Sequence, residues 1–138
     1  MPEEWAFVAL GSNLGDRPAY LRQGRQALGA LPDTRVVATS RIEETAPLGP
    51  PGQGRYLNQM VLLRTGLSGR DLLAACQAIE RDAGRVRGAR WAPRTLDLDI
   101  VRYGDDRTHD PDLTLPHPEL DRRDFWQREL EELEPHAR

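Results

Sequence analysis

Hydrophobic positions change their spacing along this chain, and the changes mark the elements. Trp5-Ala6-Phe7-Val8-Ala9-Leu10 is a short apolar run ended by Gly11-Ser12-Asn13, the pattern of a buried strand. Tyr20, Leu21, Gly24, Ala27, Leu28 and Leu31 recur at three- and four-residue steps. That spacing predicts one face of a helix, opened near Asp16 and Pro18 and stopped by Pro32. Val36 to Glu44 is β-branched and partly alternating, which predicts a second strand. Pro47, Gly49, Pro50, Pro51, Gly52 and Gly54 crowd the next stretch and demand a loop.

Tyr56 to Thr65 reads as a third strand. Ser68-Gly69-Arg70-Asp71 has the form of a capping-box start, and Leu72, Leu73, Cys76, Ile79 and Ala83 follow at helical spacing up to Gly84. Arg85 to Pro93 is a charged loop, and Leu96 to Tyr103 alternates as a fourth strand. The order β-α-β-β-α-β predicts an α+β, ferredoxin-like core, an antiparallel sheet with both helices on one face. The tail from Gly104, rich in Asp, Glu and Arg, is expected to lie across the outside as a charged extension. No repeat or linker divides the chain, so residues 1–138 are expected to form one domain.

Composition narrows the function. A hydrophobic content of 38% with 30% charged residues is that of a soluble globular protein. Apolar runs such as Met60 to Leu63 are too short to cross a bilayer, and Met1-Pro2-Glu3-Glu4 lacks the basic start of a signal peptide. The single cysteine, Cys76, sits in an apolar helical pattern and reads as a core residue. A cytoplasmic protein without membrane partners is expected. The net charge of -3 argues against a general nucleic-acid binder. All 19 basic residues are Arg and none is Lys. A P-loop or Schiff-base lysine is therefore excluded, and any phosphate clamp must be built from guanidinium groups.

Candidate chemistry concentrates near Asp97 and Asp99. Residues two apart on a strand share a face, so Leu96, Leu98 and Ile100 can enter the core while both carboxylates stand together on the other side. Two carboxylates so close repel, and a divalent cation removes the conflict. Mg²⁺ suits carboxylate oxygens and shares its shell with substrate phosphates. Five arginines (Arg81, Arg85, Arg87, Arg90 and Arg94) and one aspartate precede the pair. An anion clamp thus adjoins a metal site, as in phosphoryl transfer. A solvated edge-strand face and a salt-bridged patch would show the same residues. An RNA-binding sheet would instead need exposed aromatics on its central strands. Gly11-Ser12-Asn13-Leu14-Gly15 lacks the spacing of a dinucleotide loop.

From Ala9-Leu10-Gly11-Ser12-Asn13-Leu14-Gly15-Asp16-Arg17 to about Pro135 the chain resembles the 6-hydroxymethyl-7,8-dihydropterin pyrophosphokinases of folate synthesis. The most specific match runs from Gly84 through Arg90-Trp91-Ala92-Pro93-Arg94-Thr95-Leu96-Asp97-Leu98-Asp99-Ile100. The resemblance implies that Asp97 and Asp99 hold two Mg²⁺ ions and that Arg85 and Arg94 stabilise the transferring group. It places Arg87, Arg90 and Trp91 in a loop closing over ATP. Gln77, Glu80, Ile100, Thr114, His117 and Arg123 become nucleotide contacts. Thr45, Pro47, Leu48, Tyr56 and Asn58 become the pterin wall, with Phe125 stacking from the other side and facing Tyr56. ATP is implied as co-substrate and a monomer as the working form. The chain departs from the family in Ala92, where Gly is usual, in Asp112, where a basic residue is frequent, and in the charged segment after Phe125, where an apolar strand is usual.

Overall fold

The computed structural model describes residues 2–46, 54–84 and 95–138. Strand β1 (Glu4–Ser12) is the centre of the sheet. It pairs antiparallel with β4 (Tyr56–Thr65) from Glu4↔Thr65 to Ser12↔Leu57, and with β5 (Asp97–Tyr103) from Ala6↔Tyr103 to Gly11↔Asp97. Strand β2 (Thr34–Thr39) lies outside β4, so the order is β2-β4-β1-β5. Because β1 is covered on both faces, it is an apolar run rather than an alternation.

Helices α1 (Arg17–Gly29) and α2 (Gly69–Asp82) pack on one face, as the element order predicts. Each is started by its own side chain: Asp16 accepts from the Ala19 N–H at 3.2 Å, and Ser68 from the Asp71 N–H at 3.1 Å. Ala6, Val8, Leu10, Val61, Leu63, Leu98 and Ile100 meet Leu21, Leu28, Leu72, Cys76 and Ile79 there. A Cβ on Gly24 would stand 2.9 Å from the Leu10 side chain, so only glycine lets α1 sit this close to β1. The helix closes at Gly29, before Pro32 is reached.

The strand expected over Val36 to Glu44 is two pieces. Strand β2 ends at Thr39 and β3 (Glu43–Thr45) resumes the pairing with β4. Ser40 causes the interruption: its N–H donates to the Met60 carbonyl and its hydroxyl accepts the Met60 N–H, both at 2.9 Å. A side chain has taken the place of a strand residue in the ladder.

The charged tail is corrected more deeply. After a hairpin of β6 (Thr108–Asp110) and β7 (Leu113–Leu115), helix α3 (Asp124–Leu133) covers the second face of the sheet. Phe125, Trp126, Leu130 and Leu133 pack on Phe7, Ala9, Met60, Leu62 and Val101. Charges on the outer side of α3 mask this stripe in the sequence. Two ion pairs fasten the helix to the β2–β3 corner: Arg128 donates to Glu43 at 3.0 and 3.1 Å, and Arg41 to Glu132 at 3.0 and 3.2 Å.

Glu129 faces inward from α3 at 1% exposure. Neither of its oxygens, nor Oε1 of Glu43, has a hydrogen-bond partner among the described residues. Burial first, then the neighbouring Glu43 carboxylate, pushes the Glu129 pKa from 4.5 up to about 9. Between those values the folded chain holds a proton that the unfolded chain has released, so stability falls as pH rises. Glu129→Gln should flatten that slope and raise the melting temperature near pH 9, as read from thermal melts between pH 5 and 9. Leu133→Ala should cost about 2–5 kcal/mol in urea unfolding.

Candidate active site

Register in the sheet brings together residues that are distant in sequence. Gly11 pairs with Asn58 on one side and Asp97 on the other, so one row across three strands reads Asn58, Gly11, Asp97. The next row reads Met60, Ala9, Asp99. Directly paired residues of antiparallel strands share a face, and Met60 and Ala9 belong to the core beneath α3. Asp97, Asp99 and Asn58 therefore stand on the α3 side of the sheet, with Asn58 about 10 Å from Asp97 across the two intervening strand spacings. Leu96, Leu98 and Ile100 point into the opposite core, as their alternation predicts.

Gly11 forms the floor between the two ends of that row. A Cβ there would come 3.3 Å from the Tyr56 ring and 3.4 Å from Asn58 Oδ1. Thr45 pairs with Tyr56 across β3 and β4, and the Asn58 amide donates to Thr45 Oγ1 at 2.7 Å. That bond holds the amide group toward β3 and leaves Oδ1 facing Gly11. Thr45, Tyr56 and Asn58 are thus one contiguous patch.

Behind this patch lies an ion cluster. Arg17 donates to Glu44 at 3.0 Å and to the Arg55 carbonyl at 2.8 Å, and Arg55 donates to Glu44 at 3.0 Å. The Arg17 hydrogen bond holds the Glu44 carboxyl below its usual pKa. With the bond from Asn13 Nδ2 to the Gly54 carbonyl at 3.4 Å, it fastens the start of β4 to the Gly11–Arg17 segment. That segment lacks the spacing of a dinucleotide loop. Its polar residues serve instead to position the chain entering Tyr56.

A second depression of about 200 Å³ opens beside β5, lined by Leu73, Asp99, Ile100, Leu113, Thr114 and His117 among others. The expected nucleotide contacts Ile100, Thr114 and His117 meet there. The Glu119 N–H donates to His117 Nδ1 at 3.0 Å, so a neutral ring carries its proton on Nε2. That nitrogen faces Asp99 Oδ1 at 3.6 Å. The ring also meets the edge of Trp126, with centroids 4.9 Å apart, and the Arg123 guanidinium lies 4.4 Å over the same indole. Trp126, which the sequence reading left in the charged tail, joins these groups.

Other expected residues fall differently. Phe125 lies on the α3 side at 7% exposure, as a core ring among Phe7, Met60 and Val101 rather than on an open surface. Gln77 is half-buried on α2. Glu80 is buried and accepts the Leu98 N–H at 2.8 Å. Asp112 is paired with Arg70 at 2.9 and 3.0 Å, and Arg70 also binds Asp110. The Arg70 bonds lower the Asp112 pKa. Cys76 is buried and its thiol is pushed up to about 12, which suits its expected core role. Pro47, Leu48, Arg85, Arg87, Arg90, Trp91 and Arg94 lie outside the described residues.

Among the described residues no three His, Cys, Asp or Glu side chains are grouped to hold a metal ion. Two half-buried carboxylates on one strand face fit a cation that takes few protein ligands and keeps water and phosphate oxygens, which is the habit of Mg²⁺. No helix among the described residues is long and apolar enough to cross a membrane.

Comparison with known proteins gives the family and supports the fold. The family model for 7,8-dihydro-6-hydroxymethylpterin-pyrophosphokinase (HPPK) matches residues 7–135. A 2-amino-4-hydroxy-6-hydroxymethyldihydropteridine pyrophosphokinase of Pseudomonas aeruginosa is 44% identical over 132 residues, covering 96% of this chain and 82% of that protein. Its namesake in Bacillus subtilis is 41% identical over 128 residues, covering 93% and 77%. A crystal structure of an HPPK-DHPS in complex with substrates superposes with a TM-score of 0.71 at 13% identity and supports the fold. It covers 99% of this chain, which spans only 41% of that longer one. The rows of paired residues and the matched sequence lead to one assignment: the chain belongs to the HPPK family.

Proposed function

We propose that this chain carries out its family's reaction on the α3 side of the sheet. In this reading Asp97 and Asp99 are the ligands of two Mg²⁺ ions, and Thr45, Tyr56 and Asn58, with Pro47 and Leu48, are the wall for the pterin. The family reaction transfers the pyrophosphoryl group of ATP to the hydroxymethyl group of 6-hydroxymethyl-7,8-dihydropterin and releases AMP, a step of folate biosynthesis. The observation that carries the assignment of residues is the row Asn58, Gly11, Asp97. It sets a polar amide and a flat aromatic ring at one end and a carboxylate pair at the other, on one surface.

The chemistry asks little of a base. The substrate hydroxyl oxygen forms a bond to the β-phosphorus, the bond from that phosphorus to the α-phosphate oxygen breaks, and AMP departs. A loose transition state of this kind depends on positioning and charge stabilisation. Bound magnesium would neutralise phosphate charge there. Arg85 and Arg94 stabilise the group in transit, and Arg87, Arg90 and Trp91 close over ATP. Tyr56 supplies stacking area, and Asn58 Oδ1 accepts from the pterin's N–H edge. His117 Nε2–H, with Ile100, Thr114, Gln77 and Arg123, contacts the nucleotide, and the family resemblance assigns Phe125 to the pterin, opposite Tyr56. Helix α3 covers much of the face that RNA-binding sheets of this shape leave open, which favours small-molecule substrates. We infer a cytoplasmic protein from its composition and a monomer from the family resemblance.

Incubation with Mg-ATP and the hydroxymethyl-dihydropterin should yield AMP and the pyrophosphorylated pterin; ADP as product would reject the assignment. Asp97→Asn and Asp99→Asn should each lower kcat/KM on the order of a thousandfold with little change in melting temperature. Turnover at the parent rate in either variant would remove the pair from the metal site. Gly11→Ala should push the Tyr56 ring aside and raise KM for the pterin about tenfold, leaving KM for ATP within twofold. Steady-state kinetics with each substrate varied in turn checks this.

A further inference from the structure

Among the described residues strand β5 is the edge of the sheet, and only β1 pairs with it there. Alternate amides of an edge strand point away from their neighbour and lack a ladder partner. Between the two acids that amide belongs to Leu98. It is not left to solvent, because the Glu80 carboxylate reaches from α2 and accepts the Leu98 N–H at 2.8 Å. Glu80 is 4% exposed and follows Ile79 on the core face of α2. Buried carboxylates are costly unless they make bonds of this kind.

Cys76, one turn before Glu80, is buried beside it, and its thiol is raised first by burial and then by Glu80 and by Asp99. The backbone between Asp97 and Asp99 is gripped on one side by β1, through Gly11 and Ala9, and on the other by Glu80.

We propose that Glu80 is a positioning residue for the metal site, its carboxylate anchoring the Leu98 amide so that Asp97 and Asp99 are held in orientation to share cations. This rests on the reading of Asp97 and Asp99 as magnesium ligands. It assigns Glu80 a role that acts through the strand rather than through the nucleotide. What the role requires is an acceptor oxygen at the reach of a three-carbon side chain. Negative charge is secondary, since a third carboxylate beside the pair adds repulsion.

Two near-isosteric changes separate these properties. Glu80→Gln keeps the reach and the acceptor but loses the charge; Glu80→Asp keeps the charge but shortens the reach. The measurement is Mn²⁺ binding in the presence of a non-cleavable ATP analogue, followed by water-proton relaxation. Hydrogen exchange of the Leu98 amide is read alongside by NMR. Glu80→Gln should bind Mn²⁺ within about threefold of the parent and keep Leu98 protected. Glu80→Asp should weaken binding about tenfold or more, the usual scale for groups supporting metal ligands, and expose Leu98 to exchange. The proposal is overturned if Glu80→Asp binds like the parent, or if Glu80→Gln is as weak as Glu80→Asp. It is equally overturned if both variants lose thermal stability while Mn²⁺ binding holds. Asp97→Asn run in the same assay keeps the underlying reading separate: unchanged Mn²⁺ binding in that variant would count against the acids as ligands, whatever the Glu80 variants do.

Discussion

The double pairing of β1 is the constraint from which the site follows. A strand hydrogen-bonded on both sides cannot slip against either neighbour without turning its side chains onto the wrong faces. Phe7 and Ala9 are committed to the core under α3, and Ala6, Val8 and Leu10 to the core under α1 and α2. Once those commitments are made, Gly11 must lie opposite both Asn58 and Asp97. Burial of aliphatic side chains thereby sets the spacing between polar groups, and the chemistry needs no element of its own to align them.

That logic also explains what was readable beforehand. The Leu96-Asp97-Leu98-Asp99-Ile100 alternation needs only the two-residue repeat of a strand to place its acids, and both helix starts carry their caps in the sequence, at Asp16 and Ser68. Helix α3 as a whole was unreadable for a matching reason. Its buried stripe contains Glu129, so one inward position looks like a surface one, and Arg128 and Glu132 are spent on partners far away in the chain. The break at Ser40 was hidden because a hydroxyl substituting for a strand partner has no signature in hydrophobic spacing.

The site shows the same division. Resemblance named Glu80 as a ligand contact because it knows positions and not directions. The structure turns that side chain inward to a backbone amide. Asp112 stands as an acidic residue where the family often has a basic one, and Arg70 binds it from α2 together with Asp110. Tyr56 and Asn58 enter the reading only through the family resemblance, and their common footing on Gly11 was not legible, since an absent side chain leaves no trace in a pattern of hydrophobic and polar letters.

Placing α3 after every strand of the sheet has a consequence for how the molecule comes into being. During synthesis β1, β4 and β5 can assemble beneath α1 and α2 while the opposite side, with Phe7, Met60, Leu62 and Val101, is still bare. Such a half-covered sheet is open to association with other chains until the closing segment has emerged and turned back. The acidic exterior of α3, with Glu131 and Glu132 beside its apolar stripe, keeps that segment soluble while it waits to dock.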